Sequence, residues 1–353
     1  MSVFLAEDLK KLAAYVPGEQ PQDKRYVKLN TNENPFYPSR RAMEAITQSE
    51  LENLRLYSDP DSRKLVSAIA KAYDVCEKKI VVGNGSDELL AFCFRAFGEN
   101  GACFPDVTYG FYKVFADLFG VEKEIIPLKE DFTVDAGGFF SKNKLVVLAN
   151  PNAQTGIFLP LSAVEEILAA NRKSVVVIDE AYVDFGGESA VKLTEKYENL
   201  VVVQTFSKSR SLAGARVGFA VASEALAADL NRVRNSFNPY NVNRLSALLA
   251  ANAVLDKAYF EESVAKVKKS REFTKKELEK RGFTVLDSSA NFLMAGSAAI
   301  GGEKLYLALK ERGILVRHFK DERIKNFVRV SIGAKEDMLK FLEEVDDITG
   351  RRS

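Results

Sequence analysis

The chain carries one histidine, His318, among 353 residues. A catalytic histidine triad or a multi-histidine metal site therefore finds little material here, and no metal site is expected. Proton transfer has to fall to another group. A lysine whose pKa a neighbouring cofactor lowers is the natural substitute. Cysteine is also sparse. Cys76, Cys93 and Cys103 show no metal-ligand spacing, and an odd, small count suits a reducing cytoplasm better than a disulfide framework. Charge of one sign is missing: 50 Lys and Arg stand against 49 Asp and Glu, net +1. No basic field marks a nucleic-acid or membrane partner. No apolar run approaches a membrane span. Residues 1–16 are interrupted by Glu7, Asp8, Lys10 and Lys11, too polar for a secretory signal. A cytoplasmic protein is expected, with no internal repeat or low-complexity tract.

What is present is ordinary globular material, 46% hydrophobic and 28% charged, enough for one large domain and a smaller one. Short apolar runs at 79–82, 101–104, 144–148, 174–178, 200–204 and 217–221 read as strands. Helical spacing at 63–73, from Ser86 to about Phe97, and at 162–170 alternates with them. That order predicts an α/β fold with a mostly parallel sheet. The rhythm changes after about residue 250. A long charged helix over 256–281 is followed by short strands at 283–286, 291–294, 314–316 and 327–332, and by a helix over 335–348. This pattern predicts a smaller α+β domain.

The chemistry concentrates at strand ends, where open α/β sheets place their ligands. Lys208 follows the run Leu200 to Val203. It is flanked by hydroxyls and small residues, and Arg216 lies eight positions on. This setting suits a Schiff-base lysine beside a phosphate-bearing cofactor. Asp179 and Tyr182 follow the run Val175 to Ile178. They offer pyridoxal phosphate a carboxylate for its ring nitrogen and a phenol for its ring oxygen. Asp179 also fits a helix cap or a structural ion pair, because a carboxylate after four β-branched residues needs some partner.

Other positions carry two readings each. Gly83-Asn84-Gly85-Ser86-Asp87-Glu88 fits a plain helix cap at Ser86 or a phosphate site on helix amides. Glu88 in place of a third glycine argues against a dinucleotide fingerprint. Tyr109 fits a core aromatic or a ring that stacks on a pyridine. Asn150 to Gly156 fits a simple turn or a turn that donates an amide. Arg329 interrupts a strand with a charge, either solvated at an edge or facing a substrate carboxylate.

Taken together and in order, these residues resemble the fold-type I aminotransferases that use pyridoxal 5'-phosphate, and most closely the histidinol-phosphate aminotransferase family. The resemblance runs from Asn32-Glu33-Asn34-Pro35 and Tyr57-Ser58-Asp59-Pro60 to Val328–Gly333. It implies a seven-stranded sheet sandwiched by helices in a large domain, 40–255, with 1–39 and 256–353 forming the smaller one. It implies Lys208 as Schiff-base lysine and proton shuttle, Asp179 on the pyridinium, Tyr182 on the ring oxygen and Tyr109 stacked on the ring. Gly85, Ser86, Ser207 and Arg216 would cradle the phosphate, with Asp87 beside them. Tyr57 would reach the partner's cofactor in a homodimer. Tyr15, Arg317 and Arg329 would meet substrate. One departure stands out. The family usually reads Asn-Asn-Pro-Thr-Gly, and here it is Asn152-Ala153-Gln154-Thr155-Gly156. Ala153 replaces the usual ring-oxygen asparagine, and Asn152 is the expected substitute.

The implied reaction is ping-pong amino transfer linking histidinol phosphate and 2-oxoglutarate to imidazole acetol phosphate and glutamate, in histidine synthesis. An aromatic aminotransferase and a phosphothreonine decarboxylase are the rivals of similar pattern. Arg317 favours a phosphate-bearing substrate. A non-catalytic cofactor-binding regulator would need a DNA-binding domain, and the residues before Asn32 are too few for one.

Overall fold

The computed structural model describes residues 2–351. Its strands are β1 (Val27–Lys28), β2 (Ile80–Gly83), β3 (Ala102–Pro105), β4 (Lys123–Ile126), β5 (Leu145–Ala149), β6 (Val176–Asp179), β7 (Leu200–Thr205), β8 (Gly218–Ala222), β9 (Thr284–Val285), β10 (Phe292–Gly296), β11 (Ile314–Leu315), β12 (Arg317–His318) and β13 (Phe327–Ser331). Seven of them form one sheet in the order β2-β8-β7-β6-β5-β3-β4. Only β8 runs against the others. The expected fold, a mostly parallel seven-stranded sheet between helices with a smaller α+β part, is the one observed.

The central strands are apolar throughout because both faces are covered. Side chains alternate between two cores. Val147, Val177, Val201 and Val203 feed one cluster, and Val146, Ile178 and Val202 feed the other. Asp179 continues the face of Val177, the side that also buries Tyr112 and Tyr182. β4 is the strand that the apolar-run pattern misses. It pairs only with β3, and its Lys-Glu-Ile-Ile alternates with solvent as an edge strand does. The helix Arg244–Leu255 escapes the periodicity for a different reason. Its small alanines and leucines form no single apolar stripe.

A second sheet, β12-β13-β10-β9, is antiparallel, and β1 pairs in parallel with β11. Polar contacts bind this part to the ends of β5 and β6. Ser289 N donates to Gly156 O at 2.8 Å. The buried Arg271 donates to Phe185 O at 2.9 Å and Ala290 O at 2.8 Å. Residues 29–34 run between the two sheets. Ser331 N donates to Leu29 O at 2.9 Å, and Asn291 Nδ2 donates to Asn32 O at 2.9 Å.

Close backbone approach matters most at Gly218, which starts β8. A Cβ there would fall 2.5 Å from Ser86 N and 2.7 Å from Gly85 C. The Gly83–Ser86 turn can therefore seat on β8 only because residue 218 has no side chain. Gly218→Ala is expected to destabilise the fold by about 1–3 kcal/mol through overpacking. Urea unfolding measures this, and an unchanged midpoint would contradict the close approach.

Candidate active site

Parallel pairing aligns Ala149 with Asp179 and Asp179 with Val203, so the exits of β5, β6 and β7 share one edge. A cavity opens there, and its lining includes Asp179, Tyr182, Lys208, Arg216, Tyr109 and Ser86, with Ala153, Ser207 and Asp87 beside them. Lys208 Nζ donates to Thr31 O at 3.1 Å and lies 5.7 Å from the centre of the Tyr182 ring. Asp179 is 4% exposed and forms no ion pair among the described residues. Its Oδ2 accepts from the Tyr112 hydroxyl at 2.7 Å, and its Oδ1 accepts from Ala181 N at 3.1 Å. Burial pushes its pKa up to about 6, against the pull of those two donors. Neither a helix cap nor a structural ion pair accounts for Asp179, so its carboxylate remains available to a cation in the cavity.

At one end, the helix Ser86–Phe97 points its N-terminus at Arg216. The cap residue is Gly85, at φ 83°, so Ser86 is the first helical residue rather than the cap. Glu88 closes the turn by accepting from Asn84 N at 2.7 Å. A Cβ on Gly85 would sit 2.5 Å from Arg216 Nη2, so the guanidinium occupies space that only glycine leaves open. Arg216 itself holds a left-handed φ of 52°. It donates to Ser207 Oγ at 3.2 Å, Ala213 O at 3.2 Å and Asp87 Oδ2 at 3.1 Å. The other Asp87 oxygen accepts from the Tyr109 hydroxyl at 2.8 Å. Burial and the Asp87 carboxylate hold that phenol well above its usual pKa. The Tyr109 ring meets Tyr112 edge-on, with centroids 5.6 Å apart.

Outside the lining, on the side of Tyr182 and Tyr15, stand two arginines. Arg317 and Arg329 are direct partners across β12 and β13. Like charges placed so are destabilising unless an anion joins them. Neither forms an ion pair with a carboxylate among the described residues. Arg329 donates to Gln154 Oε1 and to Asn30 O, both at 3.1 Å, and its buried Nε has no partner. Burial lowers its pKa. Arg317 donates to Val16 O at 2.9 Å and Pro17 O at 3.0 Å, which fixes the N-terminal arm. Tyr15, on that arm, stacks on Phe111 at 4.2 Å. Burial raises the Tyr15 phenol, and Arg317 and Arg329 pull the other way.

Gly85, Tyr15 and Arg329 stand next to lining residues rather than in the lining, with Arg317 paired to Arg329, and Asn152 and Tyr57 are engaged elsewhere. Asn152 is buried in its own loop. Its Oδ1 accepts from Thr108 Oγ1 at 2.9 Å, and its Nδ2 donates to Val107 O at 2.9 Å and Thr155 Oγ1 at 3.1 Å. Its amide is engaged at both ends, and Ala153 faces the cavity instead. Tyr57 is 80% exposed and stacks on Tyr240 at 4.6 Å, outside the lining of its own chain's cavity. The lone His318 stacks on Tyr306 and is not in the lining either. Sequence reasoning missed Tyr112, Gln154 and Asn32. Tyr112 had a signal, since it stands three positions after Tyr109. Asn32 had the Asn32-Glu33-Asn34-Pro35 motif but no assigned role.

A lysine-centred cavity at the carboxyl ends of a mostly parallel sheet, with a second antiparallel sheet packed alongside, is the architecture of an aminotransferase. The chain belongs to the aminotransferase class I and II family, whose model matches residues 24–345. Relatives spanning nearly its whole length bear a narrower name. The histidinol-phosphate aminotransferase of Brachyspira hyodysenteriae is 48% identical, over 98% of this chain and 98% of its own. That of Clostridium acetobutylicum is 49% identical, over 98% of this chain and 99% of its own. The solved histidinol-phosphate aminotransferase of Sinorhizobium meliloti, in complex with pyridoxal-5'-phosphate, has a TM-score of 0.90 over 99% of this chain and 98% of that one. At 22% identity, that likeness concerns the fold.

The buried carboxyl of Asp179 makes a testable contribution to stability. Its pKa in the folded protein lies above the value of an exposed aspartate. Its favourable contribution is therefore complete at pH below about 4 and disappears as pH rises through about 6. Asp179→Asn in the ligand-free protein is expected to gain on the wild type across that window, by up to about 3 kcal/mol, and to level off above it. Urea unfolding at several pH values checks this. A constant difference between the two proteins would refute it.

Proposed function

We propose that this protein is a histidinol-phosphate aminotransferase that holds pyridoxal 5'-phosphate on Lys208 and exchanges amino groups between histidinol phosphate and 2-oxoglutarate. The observation that carries this reading is the facing pair Arg317 and Arg329, without an ion pair to a carboxylate among the described residues, next to Tyr182 of the Lys208 cavity. Such a pair accepts the two carboxylates of glutamate in one half-reaction and a phosphate in the other. An aromatic substrate would supply only one anion. A decarboxylase would release carbon dioxide from substrate.

The residues fit the cofactor. Gly85 leaves room beside Arg216, the Ser86 helix offers free amides, and the buried Asp179 lacks a cation. When bound, pyridoxal phosphate supplies an aldehyde that condenses with amines and a ring that accepts an electron pair. The protein's residues do the rest. Lys208 holds its amine in the cavity and, once released, carries a proton to or from the substrate α-carbon. Asp179 keeps the ring nitrogen in its charged form. Tyr182 donates to the ring oxygen, and Tyr109 covers the ring face. Gly85, Ser86, Ser207 and Arg216 surround the phosphate, and Asp87 gives up Arg216 to it. Arg329 and Arg317, with Tyr15 above them, bind and orient the substrate anions.

The same reading makes the protein a cytoplasmic homodimer, with 40–255 as cofactor domain and the two ends of the chain as the smaller one. Three free cysteines, two of them buried, suit a reducing compartment. No helix among the described residues is long and apolar enough to cross a membrane. The exposed Tyr57, stacked on the half-exposed Tyr240, supports the dimer. Such a pair suits a two-fold interface in which Tyr57 meets the partner's cofactor.

Two experiments test this. The purified protein, loaded with pyridoxal phosphate, is titrated with histidinol phosphate in the absence of a keto acid. The visible band of the Lys208-bound cofactor should vanish as imidazole acetol phosphate forms. A band that histidinol phosphate leaves unmoved but phenylalanine removes would favour the aromatic rival. For the dimer, Lys208→Ala and Tyr57→Ala chains are co-expressed. Hybrids should restore about a quarter of all sites to wild-type behaviour in a statistical mixture. No recovery above the single variants would remove Tyr57 from the partner's site.

A further inference from the structure

Asn32 combines features that a spacer residue does not need. It is buried, it holds a left-handed φ of 57°, and it bridges β13 to Tyr182. Its backbone N–H donates to Ser331 Oγ at 2.8 Å, and the same Oγ lies 2.9 Å from Asn32 Oδ1. A serine hydroxyl has one proton. Since Oγ accepts from the Asn32 N–H, its own proton goes to Oδ1. That fixes the orientation of the Asn32 amide and leaves Nδ2 facing Tyr182 Oη, 3.0 Å away. An amide nitrogen only donates. Tyr182 must accept there, so its own proton has to leave in another direction. Among the described residues it meets no acceptor, and Tyr182 lines the cavity.

The loop after β5 offers no second donor. Ala153 has none, and Asn152 is bound to Val107 O and Thr155 Oγ1. We propose that Asn32, held by Ser331, is a positioning residue that turns the Tyr182 hydroxyl proton toward the cofactor ring oxygen. Tyr182 is thereby the sole side-chain donor to that oxygen, where the usual asparagine is absent. The inference rests on the cofactor role of Tyr182 given above. It also ties the ring-oxygen donor to β13, the strand that carries Arg329. The other ionisable groups around Tyr182 are Lys208, Arg329, Tyr15, Tyr109 and Tyr112. The substitutions below leave all of them in place.

The test is spectroscopic. A donor to the ring oxygen stabilises its anion, and so lowers the pH midpoint of the visible band of the Lys208-bound cofactor. Asn32→Gly removes the side chain without backbone strain, since glycine tolerates this φ. It should raise the midpoint by about one unit. Ser331→Ala frees the amide to turn and should shift the midpoint the same way by less. It carries the test if the glycine variant does not fold. Tyr182→Phe should also raise the midpoint, and Asn32→Gly added to it should do nothing more. A Tyr182→Phe shift with no shift from Asn32→Gly or Ser331→Ala would overturn the relay alone. So would an Asn32→Gly shift that persists without the Tyr182 hydroxyl. No shift from Tyr182→Phe would overturn the role of Tyr182, and the relay with it.

Discussion

In-register parallel pairing of β5, β6 and β7 brings Ala149, Asp179 and the approach to Lys208 to one edge of the sheet. Each strand alternates its side chains between two buried cores, so a slip of register or face would force both cores to repack at once. The last residue of β6 inherits this rigidity. Asp179 lies on the face of Val177, buried beside Tyr112, because the pleat leaves it no other direction. A carboxylate held so has a raised pKa and no cation of its own. The sheet thus builds a demand for positive charge into the floor of the cavity.

The second sheet builds the opposite demand into the roof. Arg317 and Arg329 face one another across β12 and β13, hydrogen-bonded to carbonyl and amide oxygens and without an ion pair among the described residues. The two demands complement the two ends of the proposed chemistry, a pyridinium below and substrate anions above. Gln154 links them. It accepts from Arg329 and donates to Thr108 O at 3.2 Å, beside the loop that holds Asn152.

Residues 30–34 hold roof and floor in one alignment. Asn30 O takes Arg329, Thr31 O takes Lys208, Asn32 takes Tyr182, and Asn34 Nδ2 donates to Lys208 O at 3.1 Å. A segment with almost no regular structure therefore contacts Arg329, Lys208 and Tyr182 together. Its irregular backbone, left-handed at Asn32, is what lets successive residues point to different elements.

Much of this was legible in the sequence. Lys208, Asp179 and Tyr182 follow apolar runs whose β-branched residues identify buried strands, Arg216 lies eight positions past Lys208, and strand ends are where such sheets bind ligands. Local signals also marked Gly83–Glu88 as a turn into a helix, though not which residue caps it. The sequence did not reveal β4, because an edge strand alternates with solvent and its charges hide it. It also misjudged Asn152. A polar residue in a motif turn looks free to donate until its neighbours are known, and here Thr108, Val107 and Thr155 engage it. What the sequence determined by itself were the buried strands of the large sheet and the residues at their ends, because those depend on local pattern and burial. What only the tertiary structure decided was which donors remain free. Hydrogen-bond partners as distant in the chain as Asn32 and Ser331, or Thr31 and Lys208, meet at this site, and no local pattern encodes who meets whom.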